Sequence, residues 1–388
     1  MFAIFKHFFL LGLTSFGGPA AHLGYFRHHF VEKLNWLDDA SYARLIALSQ
    51  FLPGPGSSQV GFAIGLKKAG LLGGLTAFVA FTLPSFLTLL ALALLAAEFE
   101  QYSLVLGVIH GLKLLAVIVV ADATMKMFSS FCKTHLTAAL CVVTAVVLLI
   151  APGLWAQGGV LVGAALIGAF KLREKDPLQK LVDEGAESIH PRWTALALFA
   201  ALFVLLPFFA HHHVMLGLFS DFYQAGSLVF GGGHVVLPLL QATVGDTLTQ
   251  SQFLTGYAAA QAVPGPMFTL ATYLGALAVP DAPVTSALIA TFAVFAPGLL
   301  LVLALQSSWE ALSQKPVLAG AVAGINAAVV GLLLAALYQP IFVSSVLSAV
   351  DFAWVVAGFF LLNKLKLPVV ALVGLSGLVG VCMGLPWG

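Results

Sequence analysis

The chain has 388 residues, 60% of them hydrophobic and 9% charged, with a formal net charge of +1. Soluble domains carry about 25% charged residues, so this composition cannot coat a water-facing sphere of such size and excludes a large soluble enzyme. The near-zero charge gives no signature of a nucleic-acid or acidic partner.

A spanning helix needs about 20 mostly apolar residues, and runs such as Phe86–Ala97, Leu140–Ile150 and Ala195–Ala210 belong to enough such material for roughly nine or ten. In chain order, the first element places Lys6 before an apolar stretch and small residues near Ala20 and Ala21, the outline of a signal peptide. The same element recurs deep inside the chain, so it is read as retained structure. It breaks at Gly17-Gly18-Pro19, followed by His22 and Arg27. The second element runs from Leu37 to Gln50 and breaks at Pro53-Gly54-Pro55, with Ser57, Ser58 and Gln59 behind the break. Crossings are predicted near 71–97, 104–124, 135–151 and 154–170, the second carrying Lys113. Cys132, Cys141 and Cys382 are odd in number without metal-ligand spacing, so neither a disulfide framework nor a metal site is read.

Lys171–Arg192 is the most polar stretch and reads as an aqueous linker; Trp193–Ala210 then adds one more crossing, and His211-His212-His213 reads as an exposed loop. From there the pattern repeats. Phe8–Pro19 aligns with Phe222–Gly233, Leu37–Pro55 with Leu248–Pro266, Phe81–Ser85 with Val294–Gly298, and Gly111–Lys113 with Gly324–Asn326, at shifts of 214, 211, 213 and 213 residues. Four blocks in register mark a fused duplication. The domains are expected as a first membrane half 1–170, a cytoplasmic linker 171–193, an extra transmembrane helix 194–213 and a second membrane half 214–388. The odd number of intervening crossings inverts the second half. The fold class expected is an all-α polytopic membrane protein, two homologous halves in an inverted-topology repeat with re-entrant or broken helices.

Lys and Arg favour cytoplasmic loops. If the broken elements are re-entrant hairpins, 16 of the 17 basic residues fall on one face, the exception being Lys113 within a span. Full crossings would strand Arg27, Lys33 and Arg44 outside. The hairpin reading predicts a cytoplasmic N-terminus and an external C-terminus.

Proline lacks an N–H and clashes with the preceding helical turn, at about 3 kcal/mol or more, and glycine takes positive φ. Pro19, Pro53, Gly54, Pro55, Gly233, Pro264, Gly265 and Pro266 are therefore hinge or broken-helix positions. Paired interruptions in two halves point to a transporter's binding site. A half-helix beginning at mid-membrane presents free N–H groups and a partial positive charge of about half an electron, which suits an anion. The substrate-binding candidates are Gly17, Gly18, Ser57, Ser58, Gln59, Lys113, Gly231, Gly232, Thr269 and Asn326, with Lys113 as counter-charge because an intramembrane lysine faces a bundle interior or cavity. Lys113 aligns with Asn326, so the halves differ there. His22, Arg27, Gln50, His234 and Gln261 are candidates for gating or coupling. Each has a structural reading too: glycine and proline kink many membrane helices, hydroxyls bond back to their own helix, and histidines pack at interfaces.

Ser15-Phe16-Gly17-Gly18-Pro19-Ala20-Ala21-His22 and Gln50-Phe51-Leu52-Pro53-Gly54-Pro55, with Phe230-Gly231-Gly232-Gly233-His234 and Gln261-Ala262-Val263-Pro264-Gly265-Pro266, resemble the chromate ion transporter (CHR) family in its long two-domain form. The second half departs by placing Gly-Gly-Gly where the first has Gly-Gly-Pro. The resemblance implies a multi-pass protein of the bacterial inner membrane that exports chromate and confers chromate resistance, with sulfate as a structural mimic and without a cofactor. The partners implied are chromate, sulfate and the lipid bilayer; the oligomeric state stays open, a homodimer among the options. A dianion leaving a negative interior gains about 4.6 kcal/mol per 100 mV, and the acids that could couple protons are Glu98, Glu100, Asp122 and Asp351. Import of sulfate or another oxyanion is the alternative within transport. A membrane-embedded enzyme finds no cofactor fingerprint or nucleophile–base pairing in the sequence, and a non-transporting sensor finds no soluble signalling domain.

Overall fold

Glycine and proline breaks divide each half into short helices that fold back on themselves. The computed structural model describes residues 1–16, 18–99, 103–172, 191–230, 235–244, 248–309 and 315–384. The first half holds α1 (Phe2–Thr14), α2 (Gly18–Phe26), α3 (Asp39–Phe51), α4 (Gly56–Phe99), α5 (Ser103–Phe131), α6 (His135–Ile150) and α7 (Leu154–Lys171). A connecting helix α8 (Trp193–Phe209) follows. The second half holds α9 (Val214–Leu228), α10 (Val236–Val244), α11 (Gln250–Ala262), α12 (Leu270–Ala278), α13 (Pro283–Leu305), α14 (Pro316–Ala336), α15 (Ala349–Asn363) and α16 (Val369–Gly384). Among the described residues there is no strand. Among the described residues, five helical stretches are long and apolar enough to cross a bilayer: one within Gly56–Leu95, where the 71–99 arm is the crossing part, and those beginning at Leu104, Trp193, Pro283 and Pro316.

α1 and α2 form one hairpin. Its base is closed by the His7 and His29 rings, 2.9 Å apart between Nδ1 and Nε2, its middle by Phe8 stacked on Phe30, and its tip lies at Ser15–Gly18. α3 and the 56–68 arm of α4 form the second, with Ser41 and Lys67 joined at the base and Pro53-Gly54-Pro55 at the tip. A 13-residue helix such as α1 or α3 is about 20 Å long, short of the roughly 30 Å hydrocarbon core, so both hairpins enter and return. Asp38 caps α3 by accepting from the Ser41 N–H at 2.6 Å, which holds its carboxyl below the usual range.

α4 is two helices. At Ala69 and Gly70, the latter at φ +64, the chain reverses, and Gly65 meets Gly73 so closely that a Cβ on either would strike the other's carbonyl. The 71–99 arm then spans. α12 and α13 repeat this arrangement, Gly275 lying against Ser286.

The two halves interlock through small residues, which let backbones approach where lipid gives no hydrophobic drive. Gly107 and Gly111 of α5 press on Gly380 and Ser376 of α16; Gly320 and Gly324 of α14 press on Gly168 and Ala164 of α7. These are the same contact twice, with the halves exchanged. In each, numbering rises along one helix as it falls along the other, so both pairs are antiparallel. Between α5 and α15, His110 meets Asp351 at 2.7 Å and Asp122 meets Asn363 at 2.9 Å, twelve residues on along each helix, so these two run parallel. α6 and α15 are repeat counterparts; a short turn joins α5 to α6, and the helical course of α14 continues to Ser345 before the turn at 346–348 leads into α15. The parallel course of α5 and α15 therefore makes α14 antiparallel to its counterpart α5. The halves are inverted.

Candidate anion site at the hairpin tips

Inversion brings the tips of the hairpins together. The Gly54 N–H donates to the Val229 carbonyl at 2.7 Å, and the Gly265 N–H donates to the Ser15 carbonyl at 2.9 Å. Ser15 and Val229 are repeat counterparts, as are Gly54 and Gly265, so each half's proline-flanked tip is tied to the other half's glycine-rich tip. Each tip also packs on the opposite spanning helix. A Cβ on Gly54 (φ +122) would lie 2.9 Å from the Gly298 Cα, and one on Gly265 (φ +104) 2.9 Å from the Ser85 Oγ. Pro84-Ser85 and Pro297-Gly298 are themselves a repeated block.

The first-half tips carry the polar groups. His22 is buried, its Nε2 3.2 Å from the Ser15 carbonyl and its Nδ1 3.2 Å from the Ser57 Oγ. A carbonyl only accepts, so Nε2 bears the proton, Nδ1 accepts, and the Ser57 hydroxyl donates. The His22 ring also meets the Phe81 ring edge-on. Gln59 is fully buried and its amide donates to the Pro53 carbonyl at 2.8 Å. Gln59 N–H closes the first helical bond, onto the Pro55 carbonyl. Pro55 is thus the cap, and the N–H groups of Gly56, Ser57 and Ser58 fall in the first turn, where no helical acceptor exists. Four buried polar atoms in or beside this cluster have no hydrogen-bond partner: Ser15 Oγ, Ser58 Oγ, Gln59 Oε1 and Thr82 Oγ1. An unpaired buried polar group costs about 1–3 kcal/mol, so this cluster carries hydrogen-bonding capacity that the chain itself leaves unmet.

The second-half counterpart is drier. Phe268, Thr269 and Leu270 stand where the first half has Ser57, Ser58 and Gln59, and the Thr269 hydroxyl already donates to the Pro266 carbonyl at 2.6 Å. Pro264 and Gly265 lie at this tip, as Pro19 and Gly18 (φ +76) lie at the first. Gly17, Gly231, Gly232, Gly233 and His234 lie outside the described residues.

The remaining candidates sit apart from the tips. Lys113 is half-buried on α5, at the start of the run Leu114–Val120 that is buried on every side. Asn326 is buried on α14, its Oδ1 without a partner. Gln50 is exposed, and Gln261 bonds Tyr257 and Met267. Arg27 stands at the base of the first hairpin, paired with Glu32 and Asp39. Asp122 is held by Lys126 and Asn363, and Asp351 by His110 and the Leu347 and Ser348 N–H groups. The sequence reading missed Ser15, Thr82 and Ser85; the signal available was a polar pair inside a repeated block of an otherwise apolar helix.

A family profile described as chromate transporter matches residues 2–169 and 216–381, both halves. The chain belongs to the chromate transporter family. It is 27% identical to a chromate transport protein of Pseudomonas aeruginosa over 85% of this chain and 78% of that one. It is 28% identical to a chromate transport protein of Cupriavidus metallidurans over 84% and 79%, and 25% identical to an uncharacterized transporter of Methanocaldococcus jannaschii over 86% and 82%. No solved structure matches the chain significantly. The family match and the apolar helices make this member a membrane protein.

Proposed function

We propose that this family member carries chromate, a tetrahedral divalent oxyanion, out of the bacterial cytoplasm. The observation that carries the reading is the meeting of both halves' broken-helix tips beside three unpartnered buried hydroxyls, those of Ser15, Ser58 and Thr82, in a chain whose relatives are named for chromate transport.

The donors suit the cargo. Ser58 and the first-turn N–H groups of the 56–68 arm, that of Ser57 among them, offer hydrogen bonds and a helix-terminal positive potential, and Lys113 supplies compensating charge from α5. Asn326, with its amide, contributes from the second half. Alternating access follows from the inversion: two similar halves, 1–170 and 214–388, rock about the tips with opposite hands. The linker 171–193 and the bases of the first-half hairpins face the cytoplasm, which puts 194–213 across the membrane and the C-terminus outside. Two observations favour this orientation. Arg44, Lys67 and Arg192 line one cavity, and Lys126 and Lys366 line another, so basic residues far apart in sequence gather on common faces. A dianion moving outward gains about 4.6 kcal/mol per 100 mV, enough for the potential alone to drive export.

Purified protein in liposomes tests this by following chromate flux under an imposed voltage. Efflux from a negative interior, slowed by sulfate and returning chromate chemically unchanged, is expected. Flux of sulfate without chromate would reassign the cargo, and chemical conversion would make the chain an enzyme.

A further inference from the structure

We propose that Lys67 and Arg192, with Arg44, form a loading site for a tetrahedral oxyanion at the base of the second hairpin, separate from the tips; the identity of its ligand rests on the reading of the chain as an oxyanion carrier.

The three cations come from three elements, α3, the 56–68 arm and the residue before α8, and line a cavity of about 390 Å³. Lys67 Nζ and Arg44 Nη2 donate to one acceptor, the buried Ser41 Oγ, at 3.1 and 2.9 Å. The Ser41 proton goes to Asp38 Oδ2 at 3.0 Å, so a carboxylate stands behind the serine, while among the described residues no carboxylate lines the cavity. Guanidinium and ammonium groups are the side chains that hold oxyanions best. A second observation concerns Gln306, also in the lining: its buried amide oxygen has no partner, and an amide in that position can turn its NH2 toward an anion.

The position joins this cavity to the tip site. The 56–68 arm runs from Gly56 at the tip to Lys67 in the cavity wall, about 17 Å. α13 lines both, with Gly298 against Gly54 at one end and Leu303 in the wall at the other. The opposite face differs. There a cavity of about 580 Å³ presents Gln157, Gln241, Gln250 and Gln339, with no charged lining residue among the described ones. An anion gathered by cations on one face meets only amides on the other, which favours its release there.

Trp309 lines the basic cavity and reports on it. The full chain in nanodiscs of zwitterionic lipid is titrated with sulfate while tryptophan fluorescence is followed. A saturable change is expected, absent in Trp309→Phe and weakened at least ten-fold in the Lys67→Gln/Arg192→Gln double variant, while Lys67→Arg keeps it. The double variant raises the KM for chromate in proteoliposomes five-fold or more, with a smaller effect on maximal rate. An unchanged titration in the double variant overturns the site, as does a signal that requires added anionic lipid, which would make the occupant a headgroup. If sulfate binding behaves as stated and no chromate moves, the loading site stands and the transport reading falls.

Discussion

The Gly265 N–H reaches the Ser15 carbonyl across the boundary between the halves, 2.9 Å away, and that same carbonyl receives His22 Nε2. One oxygen therefore ties the second half's proline-flanked tip to the first half's polar cluster. The counterpart bond from Gly54 to Val229 makes the tie reciprocal. In the proposed alternating-access cycle these two bonds are the contacts about which the tips of the two halves would pivot.

Substitution at either glycine tests that pivot. Gly54 and Gly265 sit at φ +122 and +104 with a neighbour 2.9 Å from any added Cβ, and forcing a side chain into such backbone costs about 1–3 kcal/mol. Gly54→Ala and Gly265→Ala are each expected to lower chromate uptake into inverted vesicles below a tenth of the parent and to reduce the melting temperature. Gly24→Ala, with open space and ordinary φ, is the matched control. Parent-like uptake by both tip variants would remove the tips from the mechanism.

Ser57 and Ser58 are neighbours with opposite expectations. The Ser57 hydroxyl is committed to His22, so Ser57→Ala leaves a buried imidazole nitrogen unpaired and costs about 1–3 kcal/mol of stability. Ser58 Oγ has no partner, so Ser58→Ala leaves the melting temperature unchanged or raises it. A hydrogen bond to a charged group is worth about 1.5–3 kcal/mol, so its loss raises the KM for chromate about 10- to 150-fold. Thermal denaturation beside transport kinetics separates the two. A Ser58→Ala protein with lower stability and unaltered KM contradicts the assignment.

Much of this arrangement was legible in the sequence because backbone chemistry wrote it there. Pro53-Gly54-Pro55 and Pro264-Gly265-Pro266 cannot continue a helix, whatever surrounds them, and their equal spacing gave both the repeat and the tips. Pairing between distant segments was not legible. Arg27 reads as a free cation at a mouth until Glu32 and Asp39 are seen beside it, while Arg44, Lys67 and Arg192 gather only once α8 is packed. The reversal after Lys67-Lys68 was legible too, because the hairpin reading returns both lysines to the face from which the 71–97 crossing starts; the structure makes the turn with one glycine at φ +64 and the Gly65–Gly73 contact it permits.

The interlocked glycines give a stability prediction. A Cβ on Gly111 would fall 1.8 Å from the Ser376 carbonyl, and one on Gly324 2.1 Å from the Ala164 carbonyl; both neighbours are backbone, which cannot swing aside. Gly111→Val and Gly324→Val should separate α5 from α16 and α7 from α14, lowering the melting temperature in detergent and the yield of folded protein. Gly163, next to Ala164 on α7 but with nothing within 4 Å of an added Cβ, should accept alanine without loss. Equal stability across the three would mean that the halves are not held by this close packing.

Lys113 and Asn326 occupy equivalent positions in the two inverted halves, one a cation and the other a buried amide with an unpaired oxygen. If Lys113 neutralises a dianion held between the halves, the charge matters more than the half that supplies it. Lys113→Asn should then raise the KM for chromate at least five-fold, and adding Asn326→Lys should recover much of the loss, since the pseudo-two-fold relation brings either position to bear on the same central region. Initial rates in proteoliposomes for the parent, the single variant and the exchanged pair decide it. Full activity in Lys113→Asn makes the lysine a packing residue. A dead single variant that the exchange fails to rescue confines the counter-charge to the first half, where Ser57, Ser58 and Gln59 already concentrate the polar groups.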